Sequence, residues 1–195
     1  MIHTDAKSIL DWDEFRRTGH NPTDPVGMQI ETSSICNFRC DSCPLAVDGY
    51  DRPEKHMSVQ DLERVLDAFP SVQKIELQGL GEVFLNPCVL DIVRTATARG
   101  VEVHTFSNAS KIERDTAFAI VRSGLGLINF SMDGANEPTF RRLRKGGTLK
   151  RYKRCVTNLI EEFGLLHEIL VRKIYFSMIV FEGWENLKIF GFGDR

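Results

Sequence analysis

The stretch "GMQIETSSICNFRCDSCP", Gly27 to Pro44, runs from a strand-like segment straight into three cysteines, Cys36, Cys40 and Cys43, spaced Cys-x3-Cys-x2-Cys. Three soft ligands crowded into one loop cannot all be consumed by disulfides among themselves. A strand that delivers such a loop at its end predicts the first unit of a β/α repeat. It also predicts a chemistry that uses three thiolates and leaves a fourth position open.

The rest of the chain is ordinary in composition. Its 195 residues amount to about one domain, long enough to bury a real core. With 42% apolar and 27% charged residues it is neither disordered nor fibrous. A net charge of −2 gives no global pull toward nucleic acid or an anionic membrane. The opening "MIHTDAKSILDWDEF" has early acids and no apolar core, unlike a signal peptide. The longest near-apolar run, "IYFSMIVF" from Ile174 to Phe181, is too short to span a bilayer. The expectation is a soluble cytoplasmic protein with neither nucleic acid nor membrane as partner. In that reducing compartment a tight cysteine cluster points to metal or catalysis, and the odd total of five cysteines argues against a disulfide framework.

Strand-like and helix-like periods alternate downstream of the loop. "SVQDLERVLDAF" (Ser58 to Phe69) places Val59, Leu62, Val65, Leu66 and Phe69 at helical spacing, with Ser58 as cap and Pro70 as stop. "KIELQG" (Lys74 to Gly79) reads as a second strand, and Asn86-Pro87 opens a helix ending near Gly100. "VEVHTFS" (Val101 to Ser107) and "LINFSMD" (Leu127 to Asp133) are further strands, with a helix around Ile112 to Ser123 between them. Leu149, Tyr152, Val156, Leu159, Ile160 and Phe163 form the stripe of a last helix, before a fifth strand in "KIYFSMIVF". This predicts a parallel sheet or barrel with right-handed crossovers. The expected division is a lead-in over 1–26, a core over 27–181 and a tail over 182–195.

The strands also alternate in polarity. Ile75 and Leu77 interleave with Glu76 and Gln78, Val103 and Thr105 with His104 and Phe106, and Ile128, Phe130 and Met132 with Asn129, Ser131 and Asp133. Parallel strands covered on both faces are normally apolar on both. One polar face fits an incomplete barrel around a polar ligand, or edge strands with one wet face; a tightly filled barrel would not want it.

Two metals suit the cysteine loop. Structural zinc wants four ligands, and His56 would complete a Cys3His set. An iron–sulfur cubane usually takes four thiolates, so three cysteines would leave one iron open. Cys155 beside an apolar stripe and Cys88 after Pro87 read as packing residues.

Further segments carry a resemblance. The cysteine loop is similar to that of the radical S-adenosylmethionine (radical SAM) superfamily. "QGLGEVFLNP" (Gln78 to Pro87) resembles the family's Gly-Gly-Glu segment, with Leu80 where the first glycine often stands. "FSN" (Phe106 to Asn108) ends its strand as family members do, and "FSMDGANEPTFRRLRKGG" (Phe130 to Gly147) resembles the Ser-x-Asp-Gly strand end of members carrying a C-terminal SPASM cluster domain. The resemblance runs from about Gly27 to the helix ending near Gly164, each motif at a strand's C-terminal end, where β/α barrels put their chemistry.

The resemblance implies an incomplete parallel (β/α) barrel of about five strands. It implies that Cys36, Cys40 and Cys43 bind a [4Fe–4S] cluster whose open iron takes S-adenosyl-L-methionine, cleaved to a 5′-deoxyadenosyl radical that removes hydrogen from a small-molecule or peptide substrate. It further implies an electron donor such as a flavodoxin or ferredoxin. By position, Gly81 lets the backbone approach the methionine moiety and Glu82 accepts from its ammonium. Asn108 and Ser131 stand at ribose-contact positions, and Arg144 is placed to pair the methionine carboxylate, with Asp133 and Gly134 beside it. The basic runs "RRLRK" (Arg141 to Lys145) and "KRYKR" (Lys150 to Arg154) read as solvated helix faces, Arg144 excepted. Ser42 stands where many members place an aromatic near adenine. The chain ends soon after its fifth strand, which predicts a C-terminally shortened core with an apolar sheet edge in need of cover. A remnant without turnover and a zinc-stabilised β/α binding module are the alternatives.

Overall fold

The computed structural model describes residues 16–19, 24–166 and 174–177. Its centre is one parallel sheet of five strands in sequence order: β1 (Gly27–Ile30), β2 (Lys74–Leu77), β3 (Glu102–Ser107), β4 (Leu127–Ser131) and β5 (Ile174–Ser177). The connections carry helices α1 (Val59–Ala68), α2 (Val89–Ala98), α3 (Arg114–Arg122), α4 (Glu137–Leu143) and α5 (Leu149–Leu166). This open sheet with helical crossovers is the incomplete barrel that the alternation predicts. The strands are shorter than their apolar runs, because Thr32–Ser33, Gln78–Gly79 and Met132–Asp133 already belong to the loops that build the site. Of the predicted fifth strand, Lys173 and Met178–Phe181 lie outside the described residues, as do most of the lead-in and all of the tail.

The sheet has two unlike faces. On β2, β3 and β4 the residues Ile75, Leu77, Val103, Ile128 and Phe130 are essentially inaccessible and pack with Leu62 and Leu66 of α1, Ile92 and Val93 of α2, Ile120 of α3 and Leu159 of α5. Their alternates Glu76, His104, Phe106, Asn129 and Ser131 stay half-buried on the other face. The apolar set is the core, and the mostly polar set lies on the opposite face, from which Phe106 and Ser131 reach the cavity described below.

Local signals set the helix ends. Ser58 accepts from the Asp61 backbone N–H, while the Asp61 carboxylate accepts from the Ser58 N–H, a closed capping box. The helix expected to open at Asn86-Pro87 begins instead at Val89. Asn86 is drawn out of it, its amide donating to the Thr32 and Met57 carbonyls and its side-chain oxygen accepting from the Cys88 N–H. This ties the start of α2 to the chain just before the cysteine loop.

Candidate functional site

The ends of β1 to β4 open onto one cavity of about 340 Å³. Cys36, Cys40, Cys43, Gly81, Glu82, Asn108, Ser131 and Arg144 all line it. These expected residues are thus brought to one place by five stretches of chain: the loops after β1, β2 and β3, the end of β4 and the connection after α4. Gly134 is not among the lining residues. Gln78, Phe106 and Asp133 complete much of its wall.

The cysteine loop is held from far along the chain. The Arg39 N–H donates to the Lys145 carbonyl at 2.8 Å and the Asp41 N–H to the Leu143 carbonyl at 3.2 Å. Between the first two cysteines, Phe38 is buried against Gly147, where a Cβ would lie 2.5 Å from the ring's Cζ. The basic run thus has two sides. Arg141 is exposed and paired with Glu137, whereas Arg144 is only 12% exposed, its Nε 2.6 Å from Asp133 Oδ2. Arg144 Nη1 also reaches the Cys40 sulfur at 3.8 Å. Burial pushes the Cys36 thiol up and the Cys40 thiol to about 11, although the Arg144 charge opposes the latter. Iron binding at these thiols would release protons.

Glu82 is 3% exposed and well satisfied. Its Oε1 accepts from Ser107 Oγ at 2.7 Å and the Phe84 N–H at 3.3 Å, and its Oε2 from the Asn108 N–H at 2.8 Å. Burial raises its pKa against these bonds. Asn108 turns its amide group toward Asn37 Oδ1 at 3.2 Å and the Cys36 sulfur at 3.9 Å, so this predicted ribose residue also neighbours the cysteines. Ala109, fully buried, holds a left-handed φ of 64°, which costs a residue with a Cβ about 1–2 kcal/mol. That strain belongs to the turn that aims Asn108 and Ser110. At Gly81 the tight approach is to the protein itself, a Cβ there falling 1.8 Å from the Ser33 carbonyl oxygen.

Sequence reasoning missed Glu31. Its Oε1 accepts from the N–H groups of Leu80 at 2.7 Å and Gly81 at 3.1 Å, and its Oε2 pairs with Arg52. The available signal was an acid at a strand end facing a glycine-rich loop. Phe38 and its seat were missed for a similar reason, since nothing in the cysteine spacing marks the residue between.

The donor set suits a cluster better than a single ion. His56 is exposed and outside the cavity, bridging Ser33 through the backbone. Among the described residues no three metal-ligating side chains converge on a single-ion site. Tetrahedral zinc requires such convergence, whereas in a cubane each thiolate takes its own iron. Cys155 is fully buried and Cys88 caps α2, both away from the cavity.

A family model described as the radical SAM superfamily matches residues 30–174. A "tungsten-containing aldehyde ferredoxin oxidoreductase cofactor-modifying protein" of Pyrococcus furiosus is 26% identical over 136 residues, which cover 66% of this chain and 38% of that protein. A GTP 3′,8-cyclase of Rhodopseudomonas palustris is 28% identical over 142 residues, covering 66% of this chain and 40% of that one. The chain spans about two fifths of the length of these curated relatives. Among solved structures, Streptococcus suis SuiB bound to S-adenosylmethionine shares the fold with a TM-score of 0.62 at 18% identity, over 77% of this chain and 35% of that one. A structure titled native anSMEcpe with bound AdoMet does so with a TM-score of 0.58 at 18% identity, over 79% and 44%.

Proposed function

Since the chain belongs to the radical SAM superfamily, we propose that it is the core of a radical SAM enzyme in which Cys36, Cys40 and Cys43 hold a [4Fe–4S] cluster and the adjoining loops hold S-adenosyl-L-methionine. When bound, the pair supplies reductive one-electron cleavage of the sulfonium to a 5′-deoxyadenosyl radical, which takes hydrogen from a small-molecule or peptide substrate. The observation that carries this reading is the single cavity shared by the three thiols and the ends of β2, β3 and β4.

The residues divide the remaining work. A carboxylate offers about four lone-pair sites, and the protein's own donors use three on Glu82, leaving one on Oε2 for an ammonium group. Arg144 is held by its ion pair with Asp133 and by the Nη1 contact to the Cys40 sulfur, and its remaining N–H groups are the ones offered to a carboxylate. Asn108 and Ser131 present polar groups where ribose hydroxyls would lie. The cavity wall at Gln78, Phe106 and Ser131 is the surface on which a substrate would rest. The electron comes from a small one-electron donor of the flavodoxin or ferredoxin kind.

Anaerobic reconstitution with iron and sulfide tests the reading. One four-iron cluster per chain is expected, lost in Cys36→Ala, Cys40→Ala and Cys43→Ala, and kept in Cys88→Ala and Cys155→Ala. A triple variant that retains the cluster, or a wild-type protein that takes zinc and no iron, would sink it.

A further inference from the structure

We propose that Glu31 is a positioning residue for this site: its carboxylate sets the shape of the loop Gly79–Glu82, and Arg52 locks that carboxylate in place. This rests on reading the loop as the one that holds the cosubstrate.

The geometry is specific. Glu31 follows the end of β1, and one of its oxygens takes both consecutive amides of Leu80 and Gly81, at 2.7 and 3.1 Å. The other oxygen pairs with Arg52, on the arm of chain that returns from the cysteine loop. Gly79 is what makes room, since a Cβ on it would lie 2.3 Å from Glu31 Cγ. The opposite side of the loop is closed by the backbone of Ser33 and Ile35, whose carbonyl accepts from the Glu82 N–H at 2.8 Å. Glu82 is therefore delivered to the cavity by a turn gripped from two sides. Both grips come from residues 31–35, immediately before the first cysteine.

Burial works against the Glu31 charge, but the Arg52 hydrogen bond and the two loop amides outweigh it and hold its carboxyl below the usual range. The ionised form is thus the one built into the loop. Charge-assisted bonds of this kind are the stronger class. Glu31 and Arg52, with Gln29 and Gln78, also wall a recess that shares Gln78, Gly79 and Leu80 with the main cavity. A shift of this carboxylate would therefore be felt in both.

The test uses the full, reconstituted chain. In Glu31→Ala the Leu80 and Gly81 amide protons should exchange faster. Affinity for S-adenosylmethionine, by calorimetry, should fall by about tenfold, the scale of one hydrogen bond to a charged group. Iron content should not change. Glu31→Gln keeps an acceptor for the two amides and should recover most of the affinity, which a mere loss of stability would not do. Gly79→Ala, which evicts the carboxylate while leaving it in the sequence, should reproduce the Ala phenotype if Glu31→Ala folds poorly. Unchanged amide exchange and unchanged affinity in both Glu31→Ala and Gly79→Ala would overturn the proposal. Faster amide exchange in a protein whose wild type binds no S-adenosylmethionine would support the brace and overturn the cosubstrate reading instead.

Discussion

The loop after β1 and the loop after β2 face one another across the same cavity and are fastened in opposite ways. The β2 loop is held by its immediate neighbours in the sheet: Glu31, the backbone of Ser33 and Ile35, and Ser107 and Asn108 at the end of β3. The cysteine loop is held by the connection between α4 and α5, through two backbone hydrogen bonds and the seat of Phe38 on Gly147. The first loop inherits the rigidity of the strands that carry it. The second meets the sheet end only at its start, where Asn108 reaches Asn37 and the Cys36 sulfur. From Phe38 to Asp41 it depends on a connection more than 100 residues further along the chain, the Arg144–Cys40 contact spanning 104 positions. The loop that carries Glu82 is thus built into the sheet, while the loop that carries the three cysteines is clamped from outside as well.

This contrast can be broken first at Gly81. A methyl group there meets backbone at 1.8 Å, which no side-chain rotation relieves. Gly81→Ala is expected to cost about 3 kcal/mol, the upper end for forcing atoms into a filled site. Urea unfolding measures it, and a cost below about 1 kcal/mol would show that the loop is not held by the strands.

The clamp gives a smaller effect of a different kind. In Gly147→Ala the new methyl meets the far end of the Phe38 ring and the edge of Phe140, side chains rather than backbone. The expected cost is about 1–2 kcal/mol. Iron content after reconstitution should drop more than overall stability suggests, with the β2 loop amides unaffected. Equal disturbance of both loops would argue that they form a single unit.

The smallest effect is a pH dependence. Because the Glu31 carboxyl is held below its ordinary value of 4.5, the stability it provides is complete above that value and disappears as pH falls through the depressed one. The stability gap between wild type and Glu31→Gln should therefore be constant near neutrality and close in acid. A gap that widened in acid would reverse the assigned sign.

Much of this was legible in the sequence, for local reasons. Ile75, Leu77, Val103, Ile128 and Phe130 alternate with mostly polar residues because each strand has one face on helices and one half-buried face opposite, and a period of two records that directly. The cap at Ser58 and the cysteine spacing are likewise short-range patterns. What stayed hidden depends on contacts without a period. Glu31 meets Leu80 across 49 positions, and Asn108 meets Asn37 across 71. The basic run shows the same limit: Arg141 is the solvated residue its helix pattern implies. The carbonyls of Leu143 and Lys145, which carry no side-chain signal at all, fasten the cysteine loop.

The strict order of the sheet has a consequence for how the protein is made. Each strand pairs with the one synthesised just before it, so β1 and β2 can assemble while the rest is still being translated. The cysteines, however, leave the ribosome about 100 residues ahead of the connection that clamps them. At translation rates of about 5–20 residues per second, that interval is on the order of 5–20 s. During it Cys36, Cys40 and Cys43 belong to a nascent chain with a grounded β2 loop and no closed thiol loop. Thiol labelling of ribosome-stalled chains should therefore mark them strongly before Gly147 emerges and weakly afterwards.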